Sequence, residues 1–197
     1  MAACAAHCLL SAAATTALHR IPMSSSPSGP ASRTIRPARP NEADQLCRAE
    51  QLTVASEEGL LVTHADELDV HAFRDRIQQA ALGHARYQVA EVHGDLVAHG
   101  SLWPMAPRAL AHVLRLDLCV HPGYRQRGHG RALLADLLHW ARTASSAHKV
   151  ELLVRTENTP AVALYRAMGF TEEGRLKHRV RLRDGRWVDD LSLALFL

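Results

Sequence analysis

Residues Val120–Leu134 read VHPGYRQRGHGRALL. Three arginines (Arg125, Arg127, Arg131) and three glycines (Gly123, Gly128, Gly130) stand between an apolar run and an amphipathic one. The first N–H groups of a helix lack intrahelical partners, and the helix dipole is positive there. A glycine lets backbone come close to a bound group. Glycines beside arginines at a helix start therefore point to an anion cradle.

Three phosphate-binding patterns compete for this stretch. A Walker A loop needs GK[ST], which is absent. A dinucleotide fingerprint needs a third glycine, and GHGRAL has Leu133 there. It also needs a ribose-binding acid further on, and none is evident. The third pattern is R-x-x-G-x-G after a strand, met by Arg125, Gly128 and Gly130. Taken alone it is short, and the bland alternative is a glycine-containing loop entering an ordinary helix. Its surroundings decide. The strand LDLCV precedes it, and 28 residues past Gly130 begins NTPAVALYRAMGF, Asn158–Phe170.

The rest of the chain reads as one mixed α/β domain, residues 33–197. RTIRPA is a short strand ended by Pro37 and Pro40, and Asn41 is the expected cap of the helix that follows, with Asp44 three residues on. EEGLLVTHADEL reads as a loop or broken helix, and DELDVHAFRDRIQQAAL as a helix with Leu68, Phe73 and Ile77 on one side. RYQVAEV, HGD and LVAHGSLWP make a hairpin, with Gly94 in the turn. HVLRLDLCV alternates, with Val113, Arg115, Asp117 and Cys119 on one face and Leu114, Leu116, Leu118 and Val120 on the other. The helix GRALLADLLHWARTA, the strand KVELLVRT, the helix TPAVALYRAMG and a long hairpin complete the order β-α-α-β-β-β-α-β-α-β-β.

Residues 1–32 read differently. MAACAAHCLLSAAATTALHR lacks acids, and MSSSPSGPASR from Met23 has the composition of disorder. The segment is either a disordered leader or a gene-model extension, with Met23 as the true start. A cleaved signal is the third alternative.

Charge and composition exclude several classes. Net charge is +3, but residues 1–41 hold four arginines and no acid, leaving nineteen basic and twenty acidic groups beyond them. A near-neutral domain argues against nucleic-acid binding. No apolar run approaches the roughly 20 residues that span a bilayer. Four cysteines form no CxxC pair, and thirteen scattered histidines form no HExxH, so neither disulfides nor a metal site is expected. The histidines read mostly as surface residues.

LRLDLCVHPGYRQRGHGRALL together with VELLVRTENTPAVALYRAMGF resembles the GNAT superfamily of acetyl-CoA-dependent N-acetyltransferases. The resemblance covers about residues 33–197. It implies a mixed, mostly antiparallel central sheet flanked by helices, with a splayed cofactor-binding strand pair. It makes acetyl-CoA the co-substrate, no metal being required, and its pyrophosphate the anion in the cradle. Leu118, Cys119 and Val120 then offer backbone groups to the pantetheine arm and the acetyl carbonyl. Arg125 adds charge, and Gln126, Arg127, Gly128, His129, Gly130 and Arg131 bind pyrophosphate. Asn158 touches the pantetheine region. Tyr165 is the general acid toward the departing thiolate, and Gly169–Phe170 joins the helix to the next strand.

The base does not carry over. Some relatives place a glutamate where Leu153 stands, and others an acid where Leu114 or Leu116 stands. Asp117 is the only acid of that strand, as a base or as a structural or substrate-orienting carboxylate. Glu157 reads as a solvated loop charge, and Cys119 as a packing residue and not a nucleophile. The C-terminal piece is similar to bacterial members that acetylate free amino acids or small amines, and to those that modify ribosomal-protein N-termini. Acids in SEEGLL and WVDDL are placed to hold a cationic amine. The expected enzyme is cytoplasmic, acts on a small-molecule amine, touches neither nucleic acid nor membrane, and forms a homodimer or acts alone. A non-catalytic acyl-CoA-binding module is the alternative outside enzymes.

Overall fold

The computed structural model describes residues 32–56 and 63–197. The leader and most of SEEGLL lie outside them. Seven strands form one sheet in the order β1-β2-β3-β4-β5-β7-β6. They are β1 (Arg33–Pro37), β2 (Arg86–Val92), β3 (Asp95–Pro104), β4 (Val113–Val120), β5 (Lys149–Arg155), β6 (Thr171–Arg181) and β7 (Trp187–Phe196). Every pair is antiparallel except β4–β5. Among the described residues four α-helices accompany them: α1 (Ala43–Ser56), α2 (Val70–Ala80), α3 (His129–Ala144) and α4 (Thr159–Ala167). The mixed sheet and the element order agree with the sequence reading.

Helices pack on both faces. Leu133, Leu134, Leu137 and Leu138 of α3 and Val162 of α4 close one core with Leu114, Leu116, Val150 and Leu152 of the sheet. Leu46 and Cys47 of α1 and Phe73 and Ile77 of α2 close the other with Tyr87, Val89 and Leu96. The apolar spacing on each helix dictates this, since residues three and four apart share a face. Arg76 of α2 reaches Asp117, and Thr53 of α1 touches Cys119, so α1 and α2 cover the odd-numbered face of β4.

The entry to α1 differs from expectation. A 3-10 turn, Pro40–Glu42, leads into the helix, and Glu42, not Asn41, makes the capping contact at its start, accepting from the Arg39 N–H at 2.8 Å. Arg36 fixes Glu42 there, pairing with it and with Glu91 at 2.6 Å each. In the β2–β3 turn His93 and Gly94 both have positive φ, 53° and 89°. That is the twist a two-residue hairpin needs. Strand β6 forms an edge, where Glu172, Glu173, Arg175 and Lys177 are exposed and two register shifts interrupt the pairing with β7. Charges and bulges are how such edges resist further pairing.

The decisive feature is where β4 and β5 part. They pair only at Val113–Lys149, Leu114–Val150 and Arg115–Glu151. Strand β5 then continues along β7 to Arg155–Asp190, while β4 continues along β3 to Val120–Ala98. Among the described residues, the edge of β4 beyond Arg115 is left without a strand partner on that side. This is the splayed strand pair that the sequence resemblance implies.

Candidate active site

Close packing holds the open strand in place. A Cβ at Gly100 of β3 would stand 2.9 Å from Leu118 and 3.0 Å from the Asp117 carbonyl. Only glycine lets β3 and α3 seat β4 so tightly. Leu118, Cys119 and Val120 form the end of β4 that faces the opening. The chain then turns through His121, whose N–H donates to Val97 O at 3.0 Å.

The predicted cradle follows. Gly128 precedes α3 with φ 76°, a left-handed conformation that favours glycine. The first backbone bond entering α3 runs from Ala132 N–H to Gly128 O at 3.1 Å. The amides of His129, Gly130 and Arg131 come before it and aim out of the helix start. Gln126, Arg127, Gly128 and Arg131 are exposed around this end. Arg125 turns back, its Nε donating to Val120 O at 3.3 Å. These donors and the glycine at the helix start fit a pyrophosphate.

His129 departs from its expected role. Its ring is buried and its Nδ1 accepts from Arg33 Nε at 3.0 Å. Burial lowers its pKa, with Arg33 and Arg127 adding to the effect, so a neutral ring faces β1 and only the backbone faces the cradle. Arg33 also donates to Arg127 O at 3.3 Å. It pins the loop to β1, a role the sequence reading missed.

Asn158 caps α4, its Oδ1 accepting from Ala161 N–H at 3.3 Å. Its amide NH2 remains for a ligand. Tyr165 is buried against Phe170, ring centroids 5.7 Å apart. Burial raises its pKa, and the charges of Asp117 and Cys119 raise it further. The phenol thus stays protonated, as a donor must, and lies within electrostatic reach of β4.

On the other face of β4, Asp117 accepts from Arg76 Nη2 at 2.8 Å. Arg76 also reaches Ser101 Oγ at 3.3 Å and lies over the rings of Tyr87 and Trp103. An exposed carboxylate already held by a guanidinium suits orientation of a substrate better than proton abstraction. The Cys119 thiol is pushed up to about 12, first by burial and then by Glu50. A thiol so held is no nucleophile at neutral pH.

The sequence reads most of the histidines as surface residues, and eight of the eleven described ones are exposed, but two at the centre of the sheet are not. His99 and His121 are buried. His99 Nε2 meets Glu50 Oε1 at 2.7 Å, His99 Nδ1 meets His121 Nε2 at 2.9 Å, and His121 Nδ1 meets Leu96 O at 2.7 Å. Burial depresses His121 to about 4, with His99 adding to the effect. Burial alone would raise Glu50, but its bond to His99 and the nearby positive charges bring it below its ordinary value. The signal in the sequence was a histidine inside the otherwise apolar centre of LVAHGSLW. A second missed pair is Arg155 with Asp190, both buried at the far end of β5.

Comparison with known proteins agrees with this geometry. Residues 50–170 match the acetyltransferase (GNAT) family. The L-amino acid N-acetyltransferase AaaT of Escherichia coli is 30% identical over 54% of this chain and 65% of its own length, just under two thirds. The N-alpha-acetyltransferase RimI of Mycobacterium tuberculosis is 33% identical over 66% of this chain and 77% of its own. Among solved structures, yncA of Salmonella typhimurium with its cofactor acetyl-CoA superposes with a TM-score of 0.77 at 20% identity. That match covers 84% of this chain and 94% of yncA, and it speaks to the fold.

Proposed function

This chain belongs to the acetyltransferase (GNAT) family, and we propose that it moves the acetyl group of acetyl-CoA onto a primary amine of a small molecule such as an amino acid. The observation that carries the proposal is the parting of β4 from β5 beside the start of α3. It leaves open backbone groups next to an anion cradle, with a protonated tyrosine at hand.

The roles follow from the geometry. Amides from Gln126 to Arg131, with the charges of Arg125, Arg127 and Arg131, hold the pyrophosphate. Backbone groups of Leu118, Cys119 and Val120 align the pantetheine arm and polarise the thioester carbonyl, and the Asn158 amide steadies the arm. Asp117, fixed by Arg76, orients the amine in the odd-numbered face of β4. Holding both reactants in one groove makes a bimolecular attack effectively unimolecular. Tyr165 gives its proton to the sulfur as the C–S bond breaks.

AaaT and the amino-acid reading point to a free amino acid. A second acceptor is the N-terminus of a ribosomal or other protein, and the name of RimI, an N-alpha-acetyltransferase, favours a protein N-terminus. The proposal places the enzyme in the cytoplasm, as a monomer or homodimer, with neither nucleic acid nor membrane as partner. Among the described residues no helix is long and apolar enough to cross a membrane.

The test is thiol release from acetyl-CoA with amino acids, polyamines, aminoglycosides and N-terminal peptides. Turnover with a free amino acid supports the first acceptor, and turnover with peptides alone supports the second. Tight acetyl-CoA binding with no turnover on any amine would leave an acyl-CoA-binding module.

A further inference from the structure

The line of contacts from Glu50 to Leu96 has a proton count that can be worked out from valence. A backbone carbonyl only accepts, so His121 Nδ1 carries the hydrogen in its bond to Leu96 O. His121 Nε2, in a neutral ring, is then an acceptor. The 2.9 Å contact requires His99 Nδ1 to donate to it. If His99 were neutral, its Nε2 would be bare and would face Glu50 Oε1 at 2.7 Å, lone pair against lone pair. The line is complete only with one proton beyond an ionised acid and two neutral imidazoles. That proton lies between His99 Nε2 and Glu50.

The line also has one accessible end. The Glu50 side chain is 20% exposed and that of His99 4%. Glu50 lies one turn before Thr53 on α1, and Thr53 Oγ1 is 3.7 Å from Cys119 Sγ. His99 sits opposite Cys119 in the β3–β4 register. The Glu50 carboxylate therefore borders the stretch of β4 assigned to the thioester, on the face where Asp117 and Arg76 meet. The ionisable groups around it are Cys47 from its own helix, Arg76 from α2, Tyr87 from β2, Cys119 from β4, and the two histidines.

We propose that Glu50, backed by His99 and His121, accepts the proton of the attacking amine. The assignment rests on the acetyltransfer reading above. The amine N–H bond breaks as its nitrogen bonds to the thioester carbon, and the proton goes to Glu50. Glu50 passes it to His99 Nε2, because an imidazole stores a proton near neutral pH far better than a carboxylate. The C–S bond breaks and Tyr165 protonates the sulfur. Solvent then removes the stored proton through Glu50 and restores that of Tyr165. Glu50 is the catalytic residue. His99 and His121 are positioning residues that give it a sink. The completed line is the form after transfer, and the form that accepts has lost its extra proton.

Activity must therefore rise with pH through the titration of this line. The experiment measures kcat/KM against pH in the full chain, with acetyl-CoA and the amine of fastest thiol release. Glu50→Gln is expected to lower kcat/KM about 10²-fold and to abolish the acidic limb, with acetyl-CoA affinity within twofold. His99→Gln should move the midpoint of that limb and cost about tenfold with the acceptor KM little changed. A folded Glu50→Gln protein within threefold of wild type, its limb unmoved, overturns the proposal. If that variant does not fold, imidazole-nitrogen NMR on the wild type decides. His99 must lose a proton from Nε2 at the midpoint of the acidic limb, and a ring neutral throughout overturns the relay. If acetyl-CoA binds and no amine turns over, the acetyltransfer reading fails and the base role with it, whatever the NMR shows.

Discussion

On the cofactor side of β4 the groups that matter, from Val120 to Arg131, are continuous in sequence. On the acceptor side, Glu50 and His99 are 49 residues apart, and His99 and His121 a further 22. The first region is largely exposed and built from backbone amides and two glycines with positive φ, Gly123 and Gly128. The second is buried and built from side chains that meet because α1 packs over β3 and β4. The difference has a chemical basis. A pyrophosphate is the same anion whatever the acceptor, and a local turn suffices to bind it. The acceptor varies, and proton transfer from it needs groups desolvated by tertiary packing.

The largest effect is expected outside both regions, at the far end of β5, where a charged pair is buried. Arg155 and Asp190 are nearly inaccessible, and Nε and Nη2 of Arg155 have no partner among the described residues. Asp190→Ala strands a guanidinium in the interior. Removing one member of a buried pair costs about 3–5 kcal/mol. Chemical denaturation should show that loss, with activity gone at temperatures the wild type tolerates. A change under 1 kcal/mol would mean that water reaches Arg155, and that this end of β5 is as open as the cradle.

Next is Tyr165, which the two regions share. It stands on α4 beside the cofactor side, and its hydroxyl feels Asp117 and Cys119. Tyr165→Phe keeps the packing on Phe170 and removes the proton. Turnover should fall about 10²-fold, the low end for lost general acid, because coenzyme A thiolate leaves fairly well. Acetyl-CoA affinity should hardly change. Turnover within twofold of wild type, where chemistry limits, would assign the proton to water.

These expectations show what the sequence makes legible. The helix start behind the proposed cradle was readable because Arg125, Gly128 and Gly130 lie within six residues. The strands were readable because alternation and turn residues are local signals. The Asn41 cap was misread because Arg36, reaching across to Glu42 and Glu91, selects Glu42 instead. His129 was misread because β1 supplies Arg33, 96 residues away. The burial of His99 and His121 was not legible, because nothing local shows that Glu50 will meet them. Contacts made by long-range packing leave only weak traces, such as one histidine among buried apolar neighbours.

The cradle can be tested for strain as well as for space. A Cβ at Gly128 would find only Arg33 Nη2, at 3.8 Å, so there is room for it. The φ of 76° is what excludes other residues. Gly128→Val forces the backbone out of that region and should weaken acetyl-CoA binding about tenfold or more, roughly 1.4 kcal/mol. Gly128→Asn should lose less, because asparagine tolerates the left-handed region. Equal losses measured by calorimetry would point to bulk near the phosphates as the cause. Unchanged affinity in a folded valine variant would remove the pyrophosphate from this loop.

The smallest effect is expected at Cys119, where the two regions touch. Its backbone faces the splayed opening and its side chain faces α1. Were the thiol a nucleophile, acetyl would pass first to sulfur and then to the amine, and Cys119→Ala would abolish turnover. The surroundings argue otherwise. Burial and the Glu50 carboxylate hold the thiol near 12, so almost none is thiolate at neutral pH. Thr53, its neighbour at 3.7 Å, is engaged with Ala49 O at 2.8 Å and cannot serve as a base. Cys119→Ala removes one buried sulfur and leaves the backbone of β4 in place. Stability should fall by about 1 kcal/mol, the usual scale for a small buried truncation. Turnover should stay within twofold to threefold, and Glu50, relieved of no hydrogen bond, should keep its acidic limb. Mass spectrometry after mixing with acetyl-CoA alone should find no acetyl on the protein. A stoichiometric acetyl adduct that forms on wild type, is lost in Cys119→Ala and is discharged by the amine would replace direct attack by a two-step transfer. It would also make the acceptor face of β4, and not the groove, the place where the acetyl group first bonds.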